Sequence, residues 1–385
     1  MPSRGFSNPG KGRRIVILGG GYAALAAAST FSKDAPESRI TLIAPRKAHI
    51  KITHLQETLR YSLRRLCVLY ADLGKRFGFR FIRAKLRFEN DSLLRWQQRR
   101  TIRLDTEEIP FDYLIIATGA EHIAPEKTAR ILTVGDFCLN QGQTMLRDYC
   151  QRERRPAEIS VVGGGPTGVQ FLFELSDYLR RNVSKGWKLR LINYGQRVLD
   201  QFPEVFHDYA FERMRREGIE YFPNTVFRRQ EDEMIVLSGR DGETEFRLPS
   251  HLSLLFLGAK PNPFPIETNA FGQVIGTGEL LDRIFAAGDC ARFAGAGANT
   301  LSAQVALRKG KTVARNILRQ GKQDQETEPY DYEEQGYFVS LGSSDGIGWL
   351  DSKENIITGV SALTIKKAAE AQYSLLLSGI DSYDT

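Results

Sequence analysis

The sequence has few cysteines and no long apolar segment, and both absences limit what the protein can do. Its four cysteines, Cys67, Cys138, Cys150 and Cys290, lie far apart without a Cys-x-x-Cys pair. This spacing predicts neither a zinc site nor a close redox dithiol, so buried or incidental thiols are expected. No apolar run approaches the roughly 18 residues that a membrane-spanning helix needs. Segment 1–14 is polar and basic, unlike a secretory signal, which favours a short disordered lead-in and a cytoplasmic location.

The net charge of +7 is spread along the chain rather than clustered. A basic protein can attract nucleic acids, anionic membrane surfaces or anionic cofactors. Lysines and arginines are interspersed with acidic residues here, and no nucleic-acid-binding motif is present, so no nucleic-acid partner is expected. A solvated basic surface and attraction to a membrane remain as explanations. At 385 residues the chain is long enough for two or three domains.

A strand, a glycine-rich turn, a helix and a second strand occur in the same order twice. In the first copy these segments cover 14–18, 19–24, 25–31 and 40–43, and in the second they cover 159–162, 163–168, 169–181 and 189–192. Each copy has the βαβ pattern of two parallel strands joined by a helix. Pro166 fits the first turn of the second helix, where its missing N–H costs no hydrogen bond.

Both turns have the composition of a diphosphate-binding loop. Glycines let a diphosphate approach the backbone closely, and the N-terminus of the following helix adds N–H donors and a positive dipole. The pattern G-x-G-x-x-G/A is filled by Gly19, Gly21 and Ala24 in the first copy and by Gly163, Gly165 and Gly168 in the second. One match alone is also typical of a structural turn. Two matches in full βαβ context predict two bound dinucleotides.

Further motifs follow the order seen in flavoproteins that bind two dinucleotides. They are Ile-Ala-Thr-Gly at 116–119, Phe-Ala-Ala-Gly-Asp at 285–289, and the segments 168–175, 258–262, 303–311 and 339–348. Together with the glycine turns, they make the chain resemble type II NADH dehydrogenases (NADH:quinone oxidoreductases) and their apoptosis-inducing-factor-like relatives. These belong to the FAD-dependent pyridine nucleotide-disulfide oxidoreductase superfamily. The resemblance covers about residues 13–380.

The resemblance implies an α/β fold with two Rossmann-like dinucleotide-binding domains of the three-layer ββα type and a small C-terminal α+β module. Residues 12–122 and 251–328 would form the FAD-binding domain, and 123–250 the NAD(P)-binding domain. Residues 329–385 would form the C-terminal module, after a polar linker at 321–329.

The last helix, predicted at 361–377, is amphipathic. Its apolar side chains are Leu363, Ile365, Ala369, Tyr373, Leu376 and Leu377, and its polar ones are Lys366, Lys367, Glu370 and Ser374. Such a helix can cap the core, form a dimer contact or lie on a membrane. The resemblance adds peripheral attachment to the cytoplasmic face of the inner membrane as an alternative, and a homodimer stays open.

By the resemblance, the first turn binds FAD and the second binds NADH or NADPH. The residues expected around FAD are Gly19, Gly21, Tyr22, Ala23, Ala24, Thr118, Gly119, Gly288, Asp289 and Ala303. Those expected around the nicotinamide dinucleotide are Gly163, Gly165, Thr167, Gly168, Asn193 and Arg197. Asp289 would hydrogen-bond toward the ribityl–phosphate portion of the flavin, although Gly-Asp after a strand is also typical of a plain turn. No metal site is predicted.

The chain departs from the family where an acidic residue usually binds the adenosine ribose. Ala44 occupies this position in the first copy and Asn193 in the second. Loss of a carboxylate weakens ribose recognition, and at the second site it also removes repulsion of a 2′-phosphate. Arg190 or Arg197 could pair with such a phosphate, so the choice between NADH and NADPH stays open.

Three side chains are candidates for catalysis: Gln170, Glu174 and Gln304. Gln170 replaces a glutamate of the relatives, so it can orient a nicotinamide amide but cannot relay a proton. Glu174 lies one helical turn later and is either a proton partner or a solvated helix charge. Gln304 is the first glutamine of the family's Ala-Gln-x-Ala-x-Gln segment, whereas Arg308 replaces the second, which puts quinone specificity in question.

The sequence therefore predicts an FAD-dependent NAD(P)H oxidoreductase that passes a hydride to FAD and then electrons to a quinone-like acceptor. One alternative is another acceptor, such as a ferredoxin, oxygen or a sulfur compound. Sulfide oxidation is disfavoured because Cys138 and Cys150 show no convincing pairing. A further alternative is an NAD(P)H-responsive sensor like some apoptosis-inducing-factor-like relatives, which Gln170 and Arg308 keep open.

Overall fold

A computed structural model describes residues 12–105, 107–126, 128–152, 156–184, 186–242, 244–295, 297–320 and 326–383. The lead-in predicted at 1–14 and the linker predicted at 321–329 lie largely outside these ranges. Nine helices fall within them: α1 (Tyr22–Asp34), α2 (Tyr70–Phe77), α3 (Asn90–Arg99), α4 (Val134–Cys138), α5 (Gln141–Arg152), α6 (Pro166–Asn182), α7 (Glu204–Glu217), α8 (Ala303–Arg319) and α9 (Gly359–Leu377). Short 3₁₀ helices cover Ile52–Leu59, Leu63–Leu66 and Gly288–Cys290.

The strands in the first part of the chain are β1 (Arg14–Leu18), β2 (Arg39–Ala44), β3 (Ala48–Ile50), β4 (Cys67–Leu69), β5 (Phe79–Arg83), β6 (Thr101–Arg103), β7 (Glu108–Pro110), β8 (Tyr113–Ile116), β9 (Ala120–His122) and β10 (Ile131–Thr133). Those in the middle are β11 (Ala157–Val162), β12 (Trp187–Ile192), β13 (Glu220–Phe222), β14 (Thr225–Glu231), β15 (Met234–Gly239), β16 (Glu245–Pro249) and β17 (Leu252–Leu255). The remaining strands are β18 (Ala259–Pro261), β19 (Ile266–Glu267), β20 (Gln273–Gly276), β21 (Glu279–Ala286), β22 (Ala291–Arg292), β23 (Gly336–Ser340), β24 (Gly346–Leu350) and β25 (Ser352–Thr358).

The first large sheet combines strands that are distant in the sequence. Its order is β20-β21-β8-β1-β2-β5, parallel except for the β20–β21 hairpin. The central strands are runs of buried isoleucine, leucine and valine, as expected for parallel strands covered on both faces. Helices α1 and α8 pack so closely at Gly310 that a Cβ there would lie 2.2 Å from the Ala23 carbonyl oxygen. Strands β1 and β8 are parallel neighbours and α1 follows β1, so the carboxyl ends of both strands lie at the N-terminus of α1.

The second large sheet uses one continuous part of the chain. Its order is β10-β17-β11-β12-β13, with all strands parallel, and the antiparallel sheet β14-β15-β16 lies beside it. The sequence predicts antiparallel strands across 219–248. This is right for β14 to β16 but wrong for β13, which follows the crossover helix α7 and so joins the parallel sheet. The α/β fold expected from the sequence is confirmed.

The C-terminal module is the antiparallel sheet β23-β24-β25 with helix α9 packed on it. The apolar side chains Tyr373, Leu376 and Leu377 of α9 are at most 5% exposed and belong to the core of the first sheet. The helix therefore caps the protein's own core, and these side chains are not available to a membrane while it is docked. Among the described residues, no helix combines the length and hydropathy needed to cross a bilayer.

Candidate functional site

The first glycine turn joins β1 to α1 with a backbone that only glycine fits. Gly19 has φ +113°, and a Cβ there would lie 2.0 Å from the Ala117 carbonyl oxygen. Its N–H donates to the Ile43 carbonyl at 2.8 Å. A Cβ on Gly21 would meet nothing within 4 Å, and no side chain caps α1. The helix N-terminus thus presents open backbone donors to a ligand.

The second glycine turn repeats this geometry between β11 and α6. Gly163 has φ +112°, and a Cβ there would lie 2.2 Å from the Phe256 carbonyl oxygen. The Gly163 N–H donates to the Ile192 carbonyl at 2.9 Å. Gly165 again faces open space, and α6 also begins without a side-chain cap. Gly168 lets α6 pack closely on the turn, since a Cβ there would lie 1.9 Å from the Gly163 oxygen.

Three aromatic residues enclose the first turn. The Gly20 carbonyl accepts from the Tyr70 hydroxyl at 2.6 Å and from His49 Nδ1 at 3.1 Å. Because a carbonyl only accepts, Nδ1 carries the proton, and Nε2 accepts from the Tyr373 hydroxyl at 2.8 Å. Burial lowers the pKa of His49 to about 4, which keeps the imidazole neutral. Helix α9 is thereby hydrogen-bonded to the back of this turn.

Asp289 lies in the 288–290 helix, next to the N-terminal ends of α1 and α8. Burial raises the pKa of its carboxyl to about 6, and within the described chain the carboxyl has no hydrogen-bond partner. Lys309, on α8, is 1% exposed and donates to the Ala291 carbonyl at 2.7 Å and to Asn299 Oδ1 at 3.2 Å. Burial lowers the pKa of Lys309 to about 8. This lysine fixes the loop that carries Asp289.

Gln304 and Gln170 are held in the same way although they lie on different helices. Gln304 Oε1 accepts from the Tyr332 hydroxyl at 2.6 Å, and Gln170 Oε1 accepts from the Ser340 hydroxyl at 2.9 Å. In the described part of the chain, neither Nε2 group donates a hydrogen bond. Each amide thus keeps its donor end for a ligand. The predicted roles of both glutamines stay predictions.

The interpretation of Glu174 as a solvated helix charge is wrong. The side chain is 0% exposed on α6, and Oε1 accepts from Arg60 at 2.6 Å. Oε2 has no partner among the described residues. Burial raises the pKa of Glu174 to about 7, against the opposing effect of Arg60. This carboxyl can exchange a proton near neutral pH.

The structure distinguishes the two arginines that the sequence offers as partners for a 2′-phosphate. Arg190 is not available to a phosphate, because it is 2% exposed and bound to Glu158 at 2.6 Å and Glu220 at 2.7 Å. Arg197 is 40% exposed and lies 3.1 Å from a carboxylate oxygen of Glu204. In the first copy, Ala44 is buried and offers no polar group to a ribose.

Arg308 occupies a cage formed by the chain itself. Its guanidinium lies 5.5 Å from the centre of the Tyr332 ring and 5.9 Å from that of Tyr383. It also donates to the Tyr383 carbonyl at 3.4 Å. Arg308 thus holds the segment around Tyr383 against α8, close to Gln304.

Sequence reasoning missed several residues of these sites. Arg60, His49 and Tyr373 come from segments far from both turns, and no motif marks them. Lys309 carries a weak signal, because a lysine inside the apolar face of α8 needs a buried partner. All four cysteines are free in the structure, and Cys138 and Cys290 are buried, as expected from their spacing.

Two uncapped glycine turns, each at the carboxyl ends of parallel strands in its own sheet, are typical of a protein that binds two dinucleotides. The sequence pattern of the pyridine nucleotide-disulphide oxidoreductase family matches residues 13–310, and the chain belongs to this family. Its cofactors are FAD and NAD(P)H. The open space at Gly21 and Gly165 fits the diphosphates of these two cofactors.

Individual relatives extend over nearly the whole chain. A type II NADH:quinone oxidoreductase of Staphylococcus aureus is 25% identical over 400 residues, covering 96% of each protein. The NDH2 structure from Plasmodium falciparum in complex with NADH superposes with a TM-score of 0.77 at 16% identity, covering 94% of each chain. A sulfide:quinone oxidoreductase from Aquifex aeolicus also gives 0.77 at 16% identity, covering 97% of this chain and 94% of that one. The structural likenesses show the fold alone.

Proposed function

We propose that this protein is an FAD-dependent NAD(P)H dehydrogenase whose electron acceptor is quinone-like. The observation that carries the proposal is the pair of matching glycine turns, each with an open helix N-terminus. The similarity to a type II NADH:quinone oxidoreductase over 96% of the chain supports it. Held at Gly19, Gly21 and Asp289, a flavin would supply the hydride acceptance from the nicotinamide and the two-electron donation that the reaction needs.

The protein's own residues bind, orient and shield. We assign FAD to residues 12–122 and 251–328, with the diphosphate at Gly19 and Gly21 and the ribityl chain at Asp289. We assign the nicotinamide dinucleotide to residues 123–250. The remaining predicted contacts are Tyr22, Ala23, Ala24, Thr118, Gly119, Gly288 and Ala303 for FAD, and Gly163, Gly165, Thr167 and Gly168 for the dinucleotide.

The two glutamines have distinct tasks in this proposal. Gln170, on the second turn of α6, donates from Nε2 to the nicotinamide amide and so sets the face of the ring. Gln304, at the start of α8, donates from Nε2 to the flavin or to an acceptor carbonyl. Glu174 holds a proton near neutral pH and is the nearest acidic group to Gln170 along α6.

A second candidate has an acceptor other than a long-chain quinone. Arg308 between Tyr332 and Tyr383 favours it, because a cation and a folded-back segment stand where relatives have a second glutamine. Peripheral membrane attachment and a homodimer remain predictions. An attachment with α9 docked would have to use exposed side chains such as Val360 and Leu375 on the helix and Ile380 just after it.

Anaerobic reduction of the purified yellow protein tests the proposal. We expect NADH or NADPH to bleach the flavin within seconds, and a soluble quinone to restore the colour. Ferredoxin and oxygen serve as alternative acceptors in parallel reactions. A flavin that either nucleotide bleaches only over many minutes, without turnover on any acceptor, would contradict the dehydrogenase and favour a sensor.

A further inference from the structure

The side chain of Asn193, directly after β12, hydrogen-bonds to the second glycine turn and to the loop at 195–197. Its Nδ2 donates to the carbonyl oxygens of Gly195 at 2.9 Å and Arg197 at 2.8 Å. Its Oδ1 accepts from the Gly164 N–H at 3.0 Å. The side chain is 8% exposed. Both Nδ2 hydrogens are thus committed to the protein's own backbone, and one of the two Oδ1 lone pairs is used by Gly164.

A carboxylate would not fit this position without rearrangement. Nδ2 faces two carbonyl oxygens, and a carboxylate oxygen in its place would be repelled by both. The loop from 193 to 197 is therefore built around an amide. The acidic group with which many dinucleotide-binding folds recognise the 2′-hydroxyl of NADH is absent.

The next residue outward presents an aromatic ring and a cation to solvent. Tyr194 is 61% exposed, and the Arg240 guanidinium lies 4.5 Å from the centre of its ring. Arg240 is itself exposed, at the end of β15, and forms no ion pair within the described ranges of the chain. Stacking on Tyr194 restricts the arginine side chain and leaves its N–H groups free for an anion.

A second cation lies in the same loop, and the acids around it are few. Arg197 pairs with Glu204, which is 70% exposed. Exposed pairs of this kind contribute little, so a phosphate can compete for the arginine. Asp200 lies near Gly195, and Asp241 follows Arg240 on the hairpin.

We infer that the second nucleotide site selects NADPH over NADH. Arg240 and Arg197 bind the 2′-phosphate, and Tyr194 positions Arg240 by stacking. Asn193 contributes by keeping a carboxylate away from that phosphate. The inference rests on the proposed assignment of the nicotinamide dinucleotide to this turn, and it names the donor that the function leaves open.

Binding of adenosine fragments tests the selection without any catalysis. Isothermal titration of the yellow protein with 2′,5′-ADP and with 5′-ADP compares two phosphates placed at different positions on the same adenosine. We expect 2′,5′-ADP to bind about tenfold tighter, and the same ratio for NADPH over NADH in anaerobic flavin reduction. The preference should shrink as salt rises from 50 to 300 mM (roughly, Debye lengths from above 10 Å to below 8 Å).

Variants assign the preference to its residues. Arg240→Leu should lower the NADPH-to-NADH affinity ratio about tenfold, and Arg240→Lys should restore part of it. Arg247→Leu on the neighbouring strand is the matched control, since Arg247 is 58% exposed and paired with Glu231. A folding defect would weaken both nucleotides and leave the ratio unchanged.

The outcomes separate this inference from the function on which it rests. Equal or tighter binding of NADH overturns the selection while leaving the dehydrogenase intact. A ratio that Arg240→Leu changes no more than Arg247→Leu overturns the assignment to Arg240. Failure of both nucleotides to bind or to reduce the flavin overturns the proposed function as well.

Discussion

The first glycine turn is enclosed by later parts of the chain, whereas the second lies open at its adenosine end. Behind the first, Tyr70, His49 and Tyr373 form a hydrogen-bonded layer on the Gly20 carbonyl. Beside the second, Tyr194 and Arg240 are exposed to solvent. The backbone of the two turns is nearly identical, with φ of +113° and +112° at the first glycine.

With FAD at the first turn and the nicotinamide nucleotide at the second, as proposed, this difference predicts one retained ligand and one exchanging ligand. Both turns supply the same diphosphate donors, so the binding chemistry does not distinguish them. The surrounding segments do, because buried hydrogen bonds among Tyr70, His49 and Tyr373 fix the backbone of the first turn, while Tyr194 and Arg240 beside the second are exposed. We expect FAD to stay bound through purification and the nicotinamide nucleotide to exchange in every cycle.

The largest expected effect comes from removing each turn's first glycine. Gly19→Ala should leave the purified protein nearly colourless, because the new Cβ meets the Ala117 oxygen and φ is unfavourable. Gly163→Ala should keep the yellow colour but lose nucleotide affinity by about hundredfold, about 3 kcal/mol. Absorbance near 450 nm and nucleotide titration measure the two losses separately.

A glycine outside both turns provides the control. Gly278 has φ +85° and open space around it, in the β20–β21 hairpin. Gly278→Ala adds backbone strain without touching either turn, so both ligands should still bind. Loss of both ligands in either turn variant would contradict the separate roles.

Glu174 extends the comparison to the two helices, because α6 has a buried carboxyl beside Arg60 and α1 has no buried acidic or basic side chain. Glu174→Ala should lower the free energy of unfolding by about 3 kcal/mol, since Arg60 is left without its carboxylate. Glu174→Gln keeps a hydrogen bond and should lose less. Urea unfolding curves give both values.

The same residue predicts a pH dependence. The folded pKa of Glu174, about 7, lies above its ordinary value of 4.5, so the folded state binds this proton more tightly. Its contribution to stability is complete below pH 4.5 and is lost as the pH rises through 7. Glu174→Gln should remove this part of the slope. An unchanged slope between pH 5 and 8 would show that other groups cause it.

Lys309 offers a smaller change confined to the first site. Lys309→Met removes the lysine's hydrogen bonds to the Ala291 carbonyl and to Asn299 Oδ1, which keeps only the Phe293 N–H, at a cost of about 2 kcal/mol. FAD should dissociate faster because the loop that carries Asp289 loosens. The adenosine fragments should keep their affinities for the second site. Equal losses at both sites would instead indicate a general folding defect.

The smallest expected effect tests the enclosing layer itself. Tyr373→Phe removes the hydroxyl that donates to His49, which should cost about 1 kcal/mol. The rate of FAD release, followed by fluorescence, should rise about fivefold. Tyr337→Phe is the control, because the Tyr337 hydroxyl makes no hydrogen bond within the described residues. A similar rate of FAD release from both variants would show that the hydrogen bond between Tyr373 and His49 does not retain FAD.

The sequence predicts the parts of the fold that depend on local patterns. The helical pattern of residues 204–217 predicts a helix, and α7 has these bounds; the second copy's strand and helix lie within three residues of prediction. Their glycines and apolar periods act over a few residues. The helical spacing of residues 299–320 predicts a helix from 299, whereas α8 begins at Ala303 because Ser302 caps it by accepting from the Val305 N–H.

Predictions fail where a side chain depends on distant partners. The burial of Glu174 is set by Arg60, and that of Arg190 by Glu158 and Glu220, none of them in the same helix or strand. The position of Arg240 over Tyr194 requires the hairpin to fold against the second sheet. A single sequence contains no periodic signal for such contacts.

The two sheets also differ in when they can form during synthesis. All five strands of the second sheet come from residues 131–255, so it can assemble once that stretch has left the ribosome. The first sheet must wait for β21, and α1 stays uncovered until α8 is made. Such long-range pairing slows folding and leaves apolar surface exposed meanwhile. We expect nascent chains that end before residue 300 to require chaperone protection.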